Sequence, residues 1–254
     1  MKTNSFYLWI ILVIVTFSII SCEKEEEKED FTGTFIDSRD GQIYKWVKIG
    51  NQIWMAENLK STHYADGTPL VDGTGAGDIT GDFTTKYYFW YNDDSATYAD
   101  TYGALYTWAA VMNIESSSDD NPSGVQGVCP DGWHVPSDAE WKELEMYLGM
   151  SQAEADATVY RGTDEGGKLK ETGTTHWDSP NTGATNSSGF SGLPGGCRAG
   201  NGTFDYIGSD GGWWSATEDG TTYALSRRLN YNHSGVGRYY GYKGNGLSVR
   251  CVKD

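Results

Sequence analysis

An α+β domain is what this sequence predicts, and three observations carry the expectation. Strand-like patterns come first, helical patterns sit in the middle and strand-like patterns return at the end, which segregates the two element types instead of alternating them. Aromatic residues make up 14% of the chain, and 33 glycines stand against six prolines; many rings on a glycine-punctuated chain suit strands joined by long, well-packed loops. No internal repeat is present, so the strands belong to one domain and not to an array.

In order, Thr34 to Met55 reads as a three-stranded meander. Asp40-Gly41 and Gly50-Asn51 are hairpin dipeptides, and Tyr44, Trp46 and Ile49 alternate with Lys45 and Lys48 between them. Asp66 to Thr85 is rich in Gly, Asp and Thr and reads as loop, and Tyr87 to Tyr91 as a strand. Leu105, Trp108, Ala109 and Met112 recur at helical spacing and predict a helix over 102–113. Polar, serine-rich Glu115 to Gly124 reads as an exposed loop. Ser137 and Glu140 form a capping-box pattern ahead of Trp141, Leu144 and Leu148, with Gly149 as the stop; Ser151 and Glu154 repeat the box for a second, short helix. Four closing strands are expected over Gly211–Thr217, Tyr223–Asn230, Gly237–Tyr242 and Leu247–Val252, so that the first and last strands meet.

Ahead of this domain lie processing signals. Lys2 precedes an apolar run from Phe6 to Ile20 of 15 residues, short of the ~20 a spanning helix needs. Ile19-Ile20-Ser21-Cys22 then looks like a bacterial lipobox. The expectation is a signal peptide over 1–21, lipid on Cys22, and an acidic disordered tether over 22–30 that has no apolar residue to offset the entropy of ordering. The acidic run resembles the surface-export signal of Bacteroidetes lipoproteins; the plainer reading is a solubilising spacer. The expected location is the outer membrane, lipid-anchored and facing the cell exterior.

Charge and cysteines narrow the function. The chain carries −16; removing the signal (+1) and the tether (−4) leaves −13 on residues 31–254. A surface that acidic argues against nucleic acid, whose binding rests on basic groups. With Cys22 lipidated, Cys129, Cys197 and Cys251 remain in an oxidising compartment, which implies one disulfide and one free thiol. No catalytic constellation is legible. Gly189-Phe190-Ser191-Gly192-Leu193 lacks the last glycine of a serine-hydrolase elbow, and His63, His134, His176 and His233 are not spaced as a metal pair. No catalytic residue, metal site or nucleic-acid partner is assigned.

Five segments in order resemble the Fibrobacter succinogenes major paralogous domain. They are Ile43-Tyr44 through Trp54-Met55-Ala56-Glu57-Asn58-Leu59, Tyr102 to Trp108, Cys129 to Trp141, Gly189 to Gly196, and Trp213 to Glu218 with Ser248 to Val252. That family is in turn similar to C-type-lectin-like and formylglycine-generating-enzyme folds. The resemblance implies a C-type-lectin-like irregular domain with a twisted antiparallel sheet, two main helices and long loops. Cys129 and Cys251 both belong to its motifs, so it implies a Cys129–Cys251 disulfide with Cys197 as the odd thiol. The paired active-site cysteines of the formylglycine branch have no counterpart here, and that activity is not carried over.

Two regions offer binding chemistry. Trp177-Asp178-Ser179-Pro180-Asn181 running on to Asn186 supplies a ring, an acid and two amides, groups that stack on sugar faces or hold calcium. C-type lectins use a Pro-Asn pair beside an acid; Ser179 stands in place of that acid, and no cofactor is assigned. A network that orders the loop around a buried Trp177 is the other reading. Tyr231 and Asn232, followed by Tyr240, form the second region, with sheet packing of the tyrosines as its alternative. The functional expectation is a non-catalytic surface module that binds a neutral glycan or glycosylated surface partner; a structural component of a surface layer and, less so, a polysaccharide hydrolase are the alternatives. Replacing Cys22 with Ala should release the protein from the membrane fraction; retention there at unchanged mobility would contradict the anchor.

Overall fold

Two glycine turns open the folded part of the chain. In the computed structural model, which describes Met1 and residues 31–254, β1 (Thr32–Ile36), β2 (Ile43–Ile49) and β3 (Gln52–Met55) form the expected antiparallel meander. Gly41 donates to the Asp37 carbonyl at 2.8 Å, and Gly50 takes φ +63°, a conformation glycine adopts without steric cost. Only Gly50 and Asn51 separate the paired Ile49 and Gln52. The signal segment, Cys22 and the tether lie outside the described residues.

β4 (Val71–Asp72) and β5 (Tyr87–Phe89) follow, then α1 (Ser95–Tyr102), β6 (Leu105–Tyr106) and α2 (Trp108–Met112). Here the expected helix over 102–113 is corrected. One helix ends at Tyr102 and another begins after Thr107, whose hydroxyl accepts from Ala110 N–H. Between them Gly103 sits at φ +73°, where a Cβ would come 2.7 Å from the Leu59 carbonyl. Leu105 and Tyr106 are extended, pairing with Phe89 and Tyr88. The periodicity was real for Trp108 and Met112, but strand pairing took Leu105. The helix over Ser95–Tyr102 was not anticipated; Asp94 caps it by accepting from Thr97 N–H at 3.1 Å.

Next come β7 (Trp133–His134), α3 (Asp138–Tyr147), α4 (Gln152–Asp156), β8 (Val159–Arg161) and α5 (Glu165–Leu169). Both capping boxes are formed. Ser137 Oγ accepts from Glu140 N–H at 3.1 Å while Glu140 Oε2 accepts from Ser137 N–H at 2.9 Å, and Ser151 and Glu154 do the same. The chain closes with β9 (Gly195–Arg198), β10 (Phe204–Ile207), β11 (Asp210–Asp219), β12 (Tyr223–Asn230), β13 (Val236–Tyr242) and β14 (Val252–Lys253). The last strand is shorter than expected. Leu247 bridges Tyr106, Ser248 bridges Trp213, and Val252 pairs with both Trp54 and His134. A segment threading between three sheets cannot run as one ladder.

Three sheets result among the described residues: β1-β2-β3-β14-β7, β10-β9-β11-β12-β13-β8, and β4-β5-β6. The architecture is α+β, with two sizeable sheets where one was anticipated. The meander does meet the last strand, and the Cys129–Cys251 disulfide locks that junction across 122 residues of sequence. In the chain-entropy picture a loop that long contributes about 4–5 kcal/mol. Strand alternation divides the core. Met55 packs with Tyr44, Trp133 and Trp214, while its neighbour Trp54 packs with Trp141, Phe190 and Trp213. Trp213 and Trp214 likewise enter different clusters, as residues on opposite faces of one strand must. No helix of the described residues is long and apolar enough to cross a membrane.

The α3 helix is held on the six-stranded sheet by buried charge. Asp138 accepts from Arg227 Nη1 at 2.7 Å and from Arg238 Nε and Nη2 at 2.9 and 2.7 Å. Glu145, two turns along, accepts from Arg227 Nε at 2.7 Å and Arg161 Nη2 at 2.5 Å. All five residues are buried. Burial alone would raise the Asp138 pKa, but Arg238 and Arg227 hold it well below the carboxylate range. Its stabilising contribution is therefore present above the ordinary aspartate pKa and is lost as pH falls through the depressed value.

Candidate functional site

The two regions singled out by sequence meet only in part. Trp177 is buried, its indole donating to Gly192 O at 3.0 Å, and Asn181 is buried with its amide donating to Glu171 O and Gly173 O. Neither can face a ligand, so both are corrected to loop-ordering groups, the alternative the sequence had offered. Asn186 turns inward on Ser191, donating to its hydroxyl at 2.9 Å and accepting from its N–H at 2.8 Å. Asp178 and Asn232 are exposed, and Tyr231 is half-buried. Lys170 ties this loop to the Tyr231 turn. Its buried ammonium donates to Thr182 O, Asn230 O and His233 O at 2.8–2.9 Å, over the Trp177 ring. The converging carbonyls thus already hold a cation, and burial pushes that amine down to about 8.

Tyr240 belongs elsewhere. It lines a groove of about 320 Å³ with Tyr206, Tyr223, Tyr239, Tyr242 and Arg228, on the six-stranded sheet. Successive residues of a strand face opposite ways. Arg227 faces α3, so Arg228 faces away from it, and the partners in register with that set share the open face: Gly212 and Gly237 beside Arg228, Tyr239 beside Ser226, Tyr160 beside Gly237. A row of planar groups follows. Tyr160 lies 5.8 Å from Tyr239 and stacks on His233 at 4.2 Å, and the Arg228 guanidinium sits 4.9 Å above the Tyr206 ring. The row draws on both edge strands of the sheet, β8 and β10.

The charge in the groove is cancelled locally. Arg228 donates to Asp210 through Nε at 2.8 Å and Nη2 at 2.6 Å, and these bonds raise its pKa. Asn230 adds a third bond to Asp210 at 2.7 Å. Cys197, the free cysteine among the described residues, is half-buried in the groove lining; burial pushes its thiol up to about 11, so it is no thiolate at neutral pH. Of the open-face rings, Tyr206 is 54% exposed and Tyr239 and Tyr160 are half-buried; Tyr223 and Tyr240 project from the Arg227 face and meet the groove only at its edge. Apart from Tyr240 and the Gly237–Tyr242 strand that carries it, sequence reasoning missed this site. Tyr160 joins Tyr206, Asp210 and Arg228 only through the pairing of β8 with β13, strands distant in sequence.

The model of the Fibrobacter succinogenes major domain matches residues 47–253. The chain belongs to that family. No curated protein matches it, and no solved structure does. The family motifs found in the sequence build the frame: Trp54, Trp141 and Trp213 in one core cluster, and Trp133 and Trp214 with the Cys129–Cys251 disulfide in the other. The ring row lies outside those motifs.

One family motif also forms a second, larger cleft of about 680 Å³ lined by Trp133, His134, Glu140, Glu143, Lys253 and Asp254 among others. His134 is buried between two carboxylates, Nε2 at 2.6 Å from Glu140 Oε1 and Nδ1 at 2.6 Å from Asp254 Oδ1. Glu140 also holds the N–H groups of Ser123 and Ser137, which makes the arrangement a structural clasp. Among the described residues no group of three His, Cys, Asp or Glu forms a metal site.

Only the imidazolium can donate through both ring nitrogens. Burial opposes the charge, but the hydrogen bonds and charges of Glu140 and Asp254 outweigh it and raise the His134 pKa. A raised folded pKa stabilises fully below the unfolded value of about 6.5, and the gain is lost as pH rises through the folded pKa. Ring NMR should place the His134 midpoint above 6.5. Native stability should then fall toward that of His134→Gln as pH rises past it. A midpoint at or below 6.5 would contradict the clasp.

Proposed function

We propose that this protein is a lipid-anchored, surface-displayed binding module that takes a neutral glycan along the tyrosine groove without turning it over. The observation that carries the reading is the row of exposed Tyr206 and half-buried Tyr239 and Tyr160 on the open face of the six-stranded sheet. Exposed ring surface gathered in one concavity is unfavourable in water unless something covers it. Tyrosine suits a sugar because a flat apolar face meets C–H groups while the hydroxyl reaches the sugar's own hydroxyls. The Asp210–Arg228 pair leaves the lining without net charge, which favours a neutral ligand over an ionic one. Several rings in one row favour an extended chain over a single sugar.

The anchor on Cys22 and the outward-facing location are part of the same proposal, supported by the lipobox and acidic tether. So is kinship with C-type-lectin-like folds, supported by the junction of first and last strands and by the long loops. The absence of a legible catalytic constellation supports binding without turnover.

A broad array of neutral glycans tests the proposal. The native protein should bind at least one saturably and leave it uncleaved. Tyr206→Ala combined with Tyr239→Ala should weaken that binding about tenfold or more, with a melting midpoint close to the native one. The proposal fails if nothing on the array binds, if the double variant binds like the native protein, or if the ligand is cleaved.

A further inference from the structure

Besides the tyrosine hydroxyls, which donate or accept, the hydrogen-bonding groups left over in the groove are of one kind. Asp210 is spent on Arg228 and Asn230, and Ser226 Oγ lies 3.3 Å from Tyr239 O, to which it donates. Arg228 Nη1 has no partner among the described residues. Asn245 Oδ1 accepts from Gly200 N–H at 3.0 Å, which leaves its Nδ2 unspent in the groove lining. These two groups beside the tyrosine hydroxyls are N–H donors only, and they want a strong acceptor.

Beside them lies a small apolar floor. Gly212 is in register with Arg228, and a Cβ at Gly212 would stand 3.3 Å from Leu247 Cδ2. The Leu247 side chain thus rests on the strand next to Arg228, with Cys197 in the same lining. At Gly241 a Cβ would come 2.6 Å from the Trp214 ring, so a larger residue there would push into the core. An acceptor oxygen beside a methyl-sized apolar contact is the signature of an acetamido group.

Building on the glycan reading above, we propose that the groove selects an N-acetylated sugar chain, the acetamido carbonyl accepting from Arg228 and Asn245 and its methyl lying on Leu247. A chain bearing only hydroxyls offers a weaker acceptor there and leaves Leu247 uncovered.

Calorimetric titration of the full chain with N,N′,N″,N‴-tetraacetylchitotetraose and with cellotetraose separates the two ideas. The acetylated chain should bind about tenfold tighter or more. Arg228→Lys keeps a cation beside Asp210 but removes Nη1, and it should bring the two ligands to within about threefold. Equal affinity in the native protein overturns the acetamido inference and leaves the glycan reading standing. Binding of neither, together with an empty glycan array, overturns both.

Discussion

Helix α3 can stay on the six-stranded sheet only if its buried carboxylates and the sheet's buried guanidinium groups complete one another. Asp138 shares Arg227 with Glu145, while Arg238 and Arg161 take the outer places. Each ion alone would cost several kcal/mol to desolvate, so the set is favourable only when assembled. The planar, forked guanidinium suits this better than an ammonium, since one Arg227 bonds both acids at once. The Trp141 ring, 5.8 Å from the Arg227 guanidinium, covers the same spot from the core side.

That network occupies one face of β12 and β13 and thereby determines what the other face can be. Arg227 is committed to the helix; the next residue, Arg228, is committed to Asp210 on the open side. The same division by alternation sends Trp213 and Trp214 to separate clusters. A sheet cemented on one side and glycine-floored on the other leaves Tyr160, Tyr206 and Tyr239 as fixed rings on a rigid base. Preorganised rings lose little freedom when a ligand covers them, which is what a binding surface needs.

Local chemistry was legible in the sequence and long-range pairing was not. Both capping boxes, the glycine turns of the meander and the Tyr223–Asn230 strand depend on neighbours a few residues apart, and all stand where the sequence puts them. The disulfide was legible through the family motifs. Leu105 was misassigned because its helical spacing competes with a ladder to Phe89 and a bridge beside Leu247, contacts set by tertiary structure. The binding loop was misplaced for a related reason. Trp177 carries the right chemistry for a sugar platform, but burial is decided by Phe190 and Trp213, which no local pattern brings near it. The ring row draws on β8, β10, β12 and β13, and only sheet order makes those strands neighbours or near-neighbours.

Equilibrium denaturation of Asp138→Asn at neutral pH probes the central claim most directly. The substitution keeps the shape but strands Arg238 and half of Arg227 without a counter-charge. The account predicts a loss of about 3–5 kcal/mol, the range for breaking a buried ion pair from one side. A change within about 0.5 kcal/mol, as for an exposed surface site, would contradict it.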